Sequence, residues 1–173
     1  MPCPQSLVPS ASGIDHVRVS EPFVVHAGEG VTFDMGTFQA VVLASGDSTQ
    51  DSFSLLRTQN EPPGFGPPLH IHHDAAEAFY VLKGAYRIFV PSGEYECGPG
   101  SFVYVPRGTA HTFQVVSEGP GEKLNLFAPS AMVSFFGALA EAEGSGDVTP
   151  DMLEQIALAS HMEVVGPVPE TYL

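Results

Sequence analysis

Two framed segments restrict this chain more than anything else in it. The first reads Gly64-x5-His70-x-His72-x4-Glu77-x6-Gly84, and the second Gly100-x5-Pro106-x-Gly108-x2-His111. Residues i and i+2 of an extended chain point the same way, so His70 and His72 project together from one strand. Pro67 and Pro68 keep the approach extended, and Leu69 and Ile71 take the opposite face. A turn over His73 to Ala76 lets Glu77 begin the next strand beside them, with Phe79 and Val81 sharing its inward face. His111 comes from a further strand, and Phe113 and Val115 share its parity. A barrel or sandwich brings such distant strands face to face.

The rest of the chain agrees with that architecture. It has 173 residues, the size of one ordinary domain, and 18 Gly and 16 Pro, which suit many short strands joined by turns. Candidate strands are Phe23 to His26, Gly30 to Phe33, Phe38 to Ala44, Asp51 to Thr58, His70 to Ile71, Ala78 to Leu82, Ala85 to Pro91, Tyr95 to Cys97, Ser101 to Val105, His111 to Val116 and Leu124 to Ala128. Turn signals such as Gly46-Asp47, Lys83-Gly84 and Ser92-Gly93 fall between them. Residues 1–13 are rich in Pro, Ser and Gly and read as a flexible arm. Residues 14–130 then form the β-domain. Residues 131–173 change character: Ala131 to Glu143 has helix formers and an apolar face. A second helix, capped by Thr149 with Pro150 at its first position, runs to about His161. The expected fold is all-β, a sandwich or barrel with two short C-terminal helices packed on it, over its mouth if they cover anything.

Charge and cysteine usage exclude several partners. The net charge is −14, from 20 acidic and 6 basic side chains, and beyond Lys123 there are seven acids and no base. A nucleic-acid backbone or an anionic membrane needs the opposite sign. Cys3 and Cys97 make neither a disulfide framework nor a zinc-type pair. The first residues lack a basic, apolar leader, and no apolar run reaches the length of a membrane span. These features predict a soluble cytoplasmic protein.

Three neutral imidazoles and one carboxylate suit a single divalent transition metal: Fe, Mn, Co, Ni, Cu or Zn. In an octahedral ion the four ligands leave two positions for exchange, the mark of a catalytic metal. His16, His26 and His161 have no partner spacing and read as ordinary. His73 opposes His72 in parity and reads as facing outward or supporting the ligands from behind. Bulky apolar residues (Phe79, Phe113, Val103, Val105, Met132 and Phe136) are expected to line a substrate pocket; Phe89, Phe102, Tyr104, Phe127 and Phe135 are further candidates. The lining favours a planar or aromatic organic substrate. Arg57 alternates with Phe53 and Leu55 and either faces inward, to hold an anionic group, or lies on the surface. Gly98-Pro99-Gly100-Ser101 lacks the Lys of a phosphate loop, and Gly28-Glu29-Gly30 is no dinucleotide fingerprint.

The two segments resemble the motifs of the cupin superfamily. The first motif is matched at Gly64, His70, His72, Glu77 and Gly84, and the second at Gly100, Pro106, Gly108 and His111. The terminal Asn position of the second holds Val115, a departure that touches one local hydrogen bond and not the metal. A wider likeness, through Gly66 to His73, Glu77 to Gly84 and Val165 to Pro169, is to single-domain cupins compared with quercetin 2,3-dioxygenase. That resemblance implies a jelly-roll fold, a metal held by His70, His72, Glu77 and His111, and a Glu77 that is both ligand and catalytic base. It also implies a homodimer in which Phe23 to Ala44 complete the neighbour's sheet. Three functions follow. The first is a dioxygenase that uses O2 on an enolisable, flavonol-like aromatic. The second is a metal-dependent isomerase, cyclase or lyase on a polyketide-like or other carbonyl substrate. The third is a non-catalytic small-molecule-binding protein. Fold alone does not choose among them.

Overall fold

The computed structural model describes residues 21–146 and 148–167; the arm expected over residues 1–13, with Cys3 and His16, lies outside them. In chain order the elements are β1 (Val31–Asp34), β2 (Gln39–Ala44), α1 (Gly46–Thr49), β3 (Ser54–Glu61), β4 (Leu69–His72), β5 (Ala76–Lys83), β6 (Tyr86–Val90), β7 (Gly93–Cys97), β8 (Phe102–Val105), β9 (Thr112–Val115), β10 (Gly121–Ala128), α2 (Val133–Ser145), α3 (Pro150–Ala159) and β11 (Met162–Gly166). One sheet has the order β1-β2-β3-β10-β5-β8. The shorter ladders β11-β4 and β7-β6-β9 are joined by an antiparallel bridge between His70 and His111, so a second sheet runs β11-β4-β9-β6-β7. All pairings are antiparallel, and the two sheets form a jelly-roll β-sandwich.

Alternation decides which side chains reach the interior. β3 buries Ser54, Leu56, Thr58 and Glu61, whereas Leu55 and Arg57 turn away. Arg57 therefore pairs with Glu122 at 2.7 Å on the outer face and does not enter the cavity. Phe102 and Tyr104 also face outward on edge strand β8, at 65% and 61% exposure, while Val103 and Val105 turn inward. One apolar cluster gathers Met35, Phe38, Leu56, Phe127, Met132 and Phe135, with the helices packed on it. A second gathers Phe79, Val81, Tyr86, Ile88, Val105, Phe113 and Val115.

Several expectations change. Phe23–His26 forms no strand. β1 and β2 extend this chain's own sheet through β3. Gly46–Thr49 makes one helical turn where a bare turn was expected. α3 starts as its capping residues dictate, the Thr149 hydroxyl accepting from Met152 N–H at 3.2 Å, but it stops at Ala159. His161 takes a left-handed φ of 57°, and the chain reverses into β11, which the sequence did not reveal. β11 pairs with β4, placing Met162 opposite His72 and Val164 opposite His70.

Candidate metal centre

The two framed segments meet through main-chain hydrogen bonds. His70 N–H donates to His111 C=O at 3.1 Å, and His111 N–H returns to His70 C=O at 2.9 Å, so two histidines distant in sequence stand side by side. Gly108 N–H donates to His72 C=O at 2.8 Å and fixes the far end of β4. Gly108 has φ 75°, which a side chain rarely adopts, and this accounts for the glycine in the second segment. At Gly84 (φ 78°) a β-carbon would stand 2.8 Å from the Ser117 hydroxyl and 3.0 Å from Gly121 Cα, so the first segment also ends on a required glycine. Where the resemblance expects an Asn, the main chain of Val115 does the tethering: it accepts from Gly64 N–H and donates to Phe65 C=O, each at 2.8 Å.

His70, His72, Glu77 and His111 are all buried, and one potential ligand atom from each lies within 4.8 Å of the others. His70 Nδ1–H donates to Pro68 C=O at 2.7 Å, and His111 Nδ1–H to Thr109 C=O at 2.9 Å. Those bonds fix the rings and turn both Nε2 atoms to the common centre, the usual support for a metal-bound imidazole. Glu77 Oε2 accepts from His72 Nε2 at 3.0 Å and His111 Nε2 at 2.9 Å. Glu77 Oε1 has no hydrogen-bond partner among the described residues. The donor set fits a divalent transition metal: three nitrogens and one carboxylate oxygen, preoriented and shielded.

Without a metal the same four groups share protons. Burial would raise Glu77, but hydrogen bonds from His111 and His72 outweigh it and hold the carboxyl well below its ordinary range. Burial would lower His111, but the Glu77 carboxylate outweighs this and pushes it up. His70, pressed by burial and then by His111, falls to about 4. The signs set a pH profile for protein stripped of metal. His70 titrates at about 6.5 when unfolded, so its contribution is complete above that pH and is lost as pH falls toward 4, on the order of 3 kcal/mol at most. The raised His111 acts oppositely: its contribution is complete below about 6.5 and is lost as pH rises through its folded value. Urea titrations of chelator-treated protein should show a stability maximum near pH 6.5, and a flat curve from pH 4 to 6.5 would contradict the arrangement.

A cavity of about 300 Å³ opens onto the centre. Of the residues expected to line it, Phe113, Phe127, Met132, Phe135 and Phe136 do so, joined by Phe38 and Phe65, while Phe89 does not. Phe79, Val103 and Val105 instead pack in the second core cluster. They share the inward parity of Glu77, but β5 and β8 carry them to neighbours that close over them. Helices α2 and α3 and strand β11 contribute Leu139, Leu153 and Val164 to the wall.

Sequence reading missed a polar group in this wall. Lys123 is 1% exposed; its Nζ donates to Glu61 Oε1 at 2.6 Å and Thr58 Oγ1 at 3.0 Å and lies 3.9 Å above the centre of the Phe113 ring. Glu61 also accepts from the Tyr86 hydroxyl at 2.5 Å, and Asn125 Nδ2 donates to Thr58 Oγ1 at 3.1 Å. Burial pulls Lys123 below its ordinary value, against the pull of Glu61. The available signal was that β10 places a Lys and an Asn on the parity of Phe127.

His73 lies outside the centre and pairs with Glu163 at 2.8 Å; His161 pairs with Asp74. No helix among the described residues is long and apolar enough to cross a membrane.

Comparison with known proteins agrees with this geometry. Residues 57–127 match the family described as a cupin domain. A quercetin 2,3-dioxygenase of Bacillus subtilis is 31% identical over 96 residues, 56% of this chain and 28% of the relative. A quercetin 2,3-dioxygenase of Aspergillus japonicus is 34% identical over 133 residues, 70% of this chain and 36% of the relative. The chain thus spans about a third of the length of these relatives. Among solved structures, KdgF from Halomonas sp. superposes with a TM-score of 0.55 at 17% identity, covering 63% of this chain and 94% of that one. A variant of Streptomyces PAC13 with uridine gives 0.54 at 16% identity, over 87% and 96%. At such identities the structural likeness speaks for the fold.

Proposed function

We propose that this chain, which carries a cupin domain over residues 57–127, is a metal-dependent dioxygenase acting on an enolisable, flavonol-like aromatic. The observation that carries the reading is a buried cluster of three His and one Glu at the end of a cavity lined mainly by apolar side chains. The name shared by the two curated relatives supports the substrate class.

In this reading His70, His72, Glu77 and His111 hold one divalent transition metal, and the other roles fall to the chain's own residues. A bound metal supplies Lewis acidity and orients the reacting oxygens. Phe113, Phe127 and Met132 exclude water and hold an aromatic ring by its faces and edges. Glu77 Oε1 faces no protein donor and accepts the enol or phenol proton of the substrate. The Pro68 and Thr109 carbonyls keep His70 and His111 from rotating as that charge shifts.

Elemental analysis of protein purified without added metal should find about one transition-metal ion per chain. An oxygen electrode should record uptake with flavonols such as quercetin. Metal-loaded protein that converts a carbonyl substrate without consuming oxygen would replace this reading with an isomerase or lyase using the same base. The same proposal includes a homodimer, supported by the exposed Tyr80, Phe102 and Tyr104 beside the β8 edge. Light scattering should return twice the chain mass, and a monomer would remove that part.

A further inference from the structure

We propose that Asn125, held by Thr58 and the Lys123–Glu61 pair, is a specificity-determining residue that binds a second hydroxyl on the substrate, away from the metal centre. The inference rests on the proposed aromatic substrate and deepens it to a polyhydroxylated one. Asn125 is 3% exposed and lines the cavity. One amide N–H donates to Thr58 Oγ1 at 3.1 Å. Its carboxamide oxygen and second N–H have no partner among the described residues. A buried amide left this way is a cost that an apolar residue, such as Phe127 at the next inward position, does not incur.

The surroundings fix this group's orientation. Thr58 Oγ1 accepts from both Lys123 Nζ and Asn125, and Lys123 is anchored on Glu61, which is anchored on the Tyr86 hydroxyl. The Asn125 amide therefore has one edge engaged and the other left for a ligand that both donates and accepts, as a phenolic hydroxyl does. Register gives the spacing. On β10, Phe127 stands opposite Glu77 and Asn125 opposite Phe79. Two residues of strand put the Asn125 position roughly 7 Å from the level of Glu77. That interval places the second hydroxyl on a different ring from the reacting enol.

Calorimetry on zinc-loaded protein tests this with two probes, quercetin and 3-hydroxyflavone, which lacks the other hydroxyls. The wild type should bind quercetin at least about tenfold more tightly, the order expected for one well-made buried hydrogen bond. In Asn125→Leu the ratio should fall to about one. Asn125→Asp, which keeps an acceptor oxygen, should retain most of the preference. Thr58→Val, which leaves Asn125 present but unheld, should lower it severalfold and serves if Asn125→Leu fails to fold. A wild type with equal affinities or none, or an unchanged ratio in both Asn125→Leu and Thr58→Val, overturns the proposal. Oxygen uptake by the iron-, manganese-, cobalt-, nickel- or copper-loaded protein reads the dioxygenase assignment separately. Discrimination without uptake sinks that assignment and leaves Asn125 in place; uptake with an unchanged ratio does the reverse.

Discussion

His111→Ala should empty the metal centre and abolish turnover. The imidazole is 1% exposed, and the bonds that join β4 to the start of β9 run through the His70 and His111 main chains, so they survive its loss. What disappears is a pinned nitrogen donor, together with one of the two hydrogen bonds holding Glu77 Oε2. Disturbing only the group that orients a metal-bound His costs about 10–100-fold in affinity, so removing the ligand itself should cost more. Elemental analysis after dialysis should find near-stoichiometric metal in the wild type and almost none in His111→Ala or His70→Ala. His73→Ala is the control, since His73 is exposed and bonded to Glu163, and it should keep its metal. Full occupancy in both ligand variants would mean that these side chains meet for some other reason. Circular dichroism separates an empty site from an unfolded one.

Most of this centre was legible because its signal is positional. Glycines at both ends of a fixed spacing, and histidines two apart, translate into main-chain bonds and strand parity without knowledge of the rest of the chain. The wall of the cavity was harder. β10 carries apolar residues on both parities, Leu124 and Leu126 on one and Phe127 on the other, and it buries Lys123 and Asn125 together with Phe127. The burial of Lys123 depends on Glu61, 62 residues away, which supplies the charge Lys123 needs in order to be buried. Such pairing is a tertiary fact with no local trace. The same holds for β11, whose five residues acquire strand geometry from β4, about ninety positions earlier. Phe79, Val103 and Val105 show a further limit: parity tells which face a residue takes, but not whether that level of the sandwich is filled or hollow.

Replacing Glu77 should separate binding from chemistry. Glu77→Gln keeps the size and one oxygen of the side chain, and the three histidines remain pinned or packed, so metal should be partly retained. Turnover with an enolisable substrate should fall by about 10²–10⁴-fold, the range that a positioned base contributes. The fall should appear in kcat more than in KM, because the cavity walls that hold the ring are unchanged. A second readout needs no substrate. In stripped protein, the Glu77 carboxylate is the group that raises His111 against burial. With Gln there, the carboxylate charge is gone and only neutral hydrogen bonds, such as that to the Thr109 carbonyl, still oppose burial, so the His111 ring should titrate lower by NMR than in the stripped wild type. The loss of stability above pH 6.5 expected of the stripped wild type should then shrink, because it scales with how far the folded protein raises His111. Unchanged kcat in Glu77→Gln would remove the base from this residue, and an unshifted His111 would remove the charge coupling on which the assignment rests.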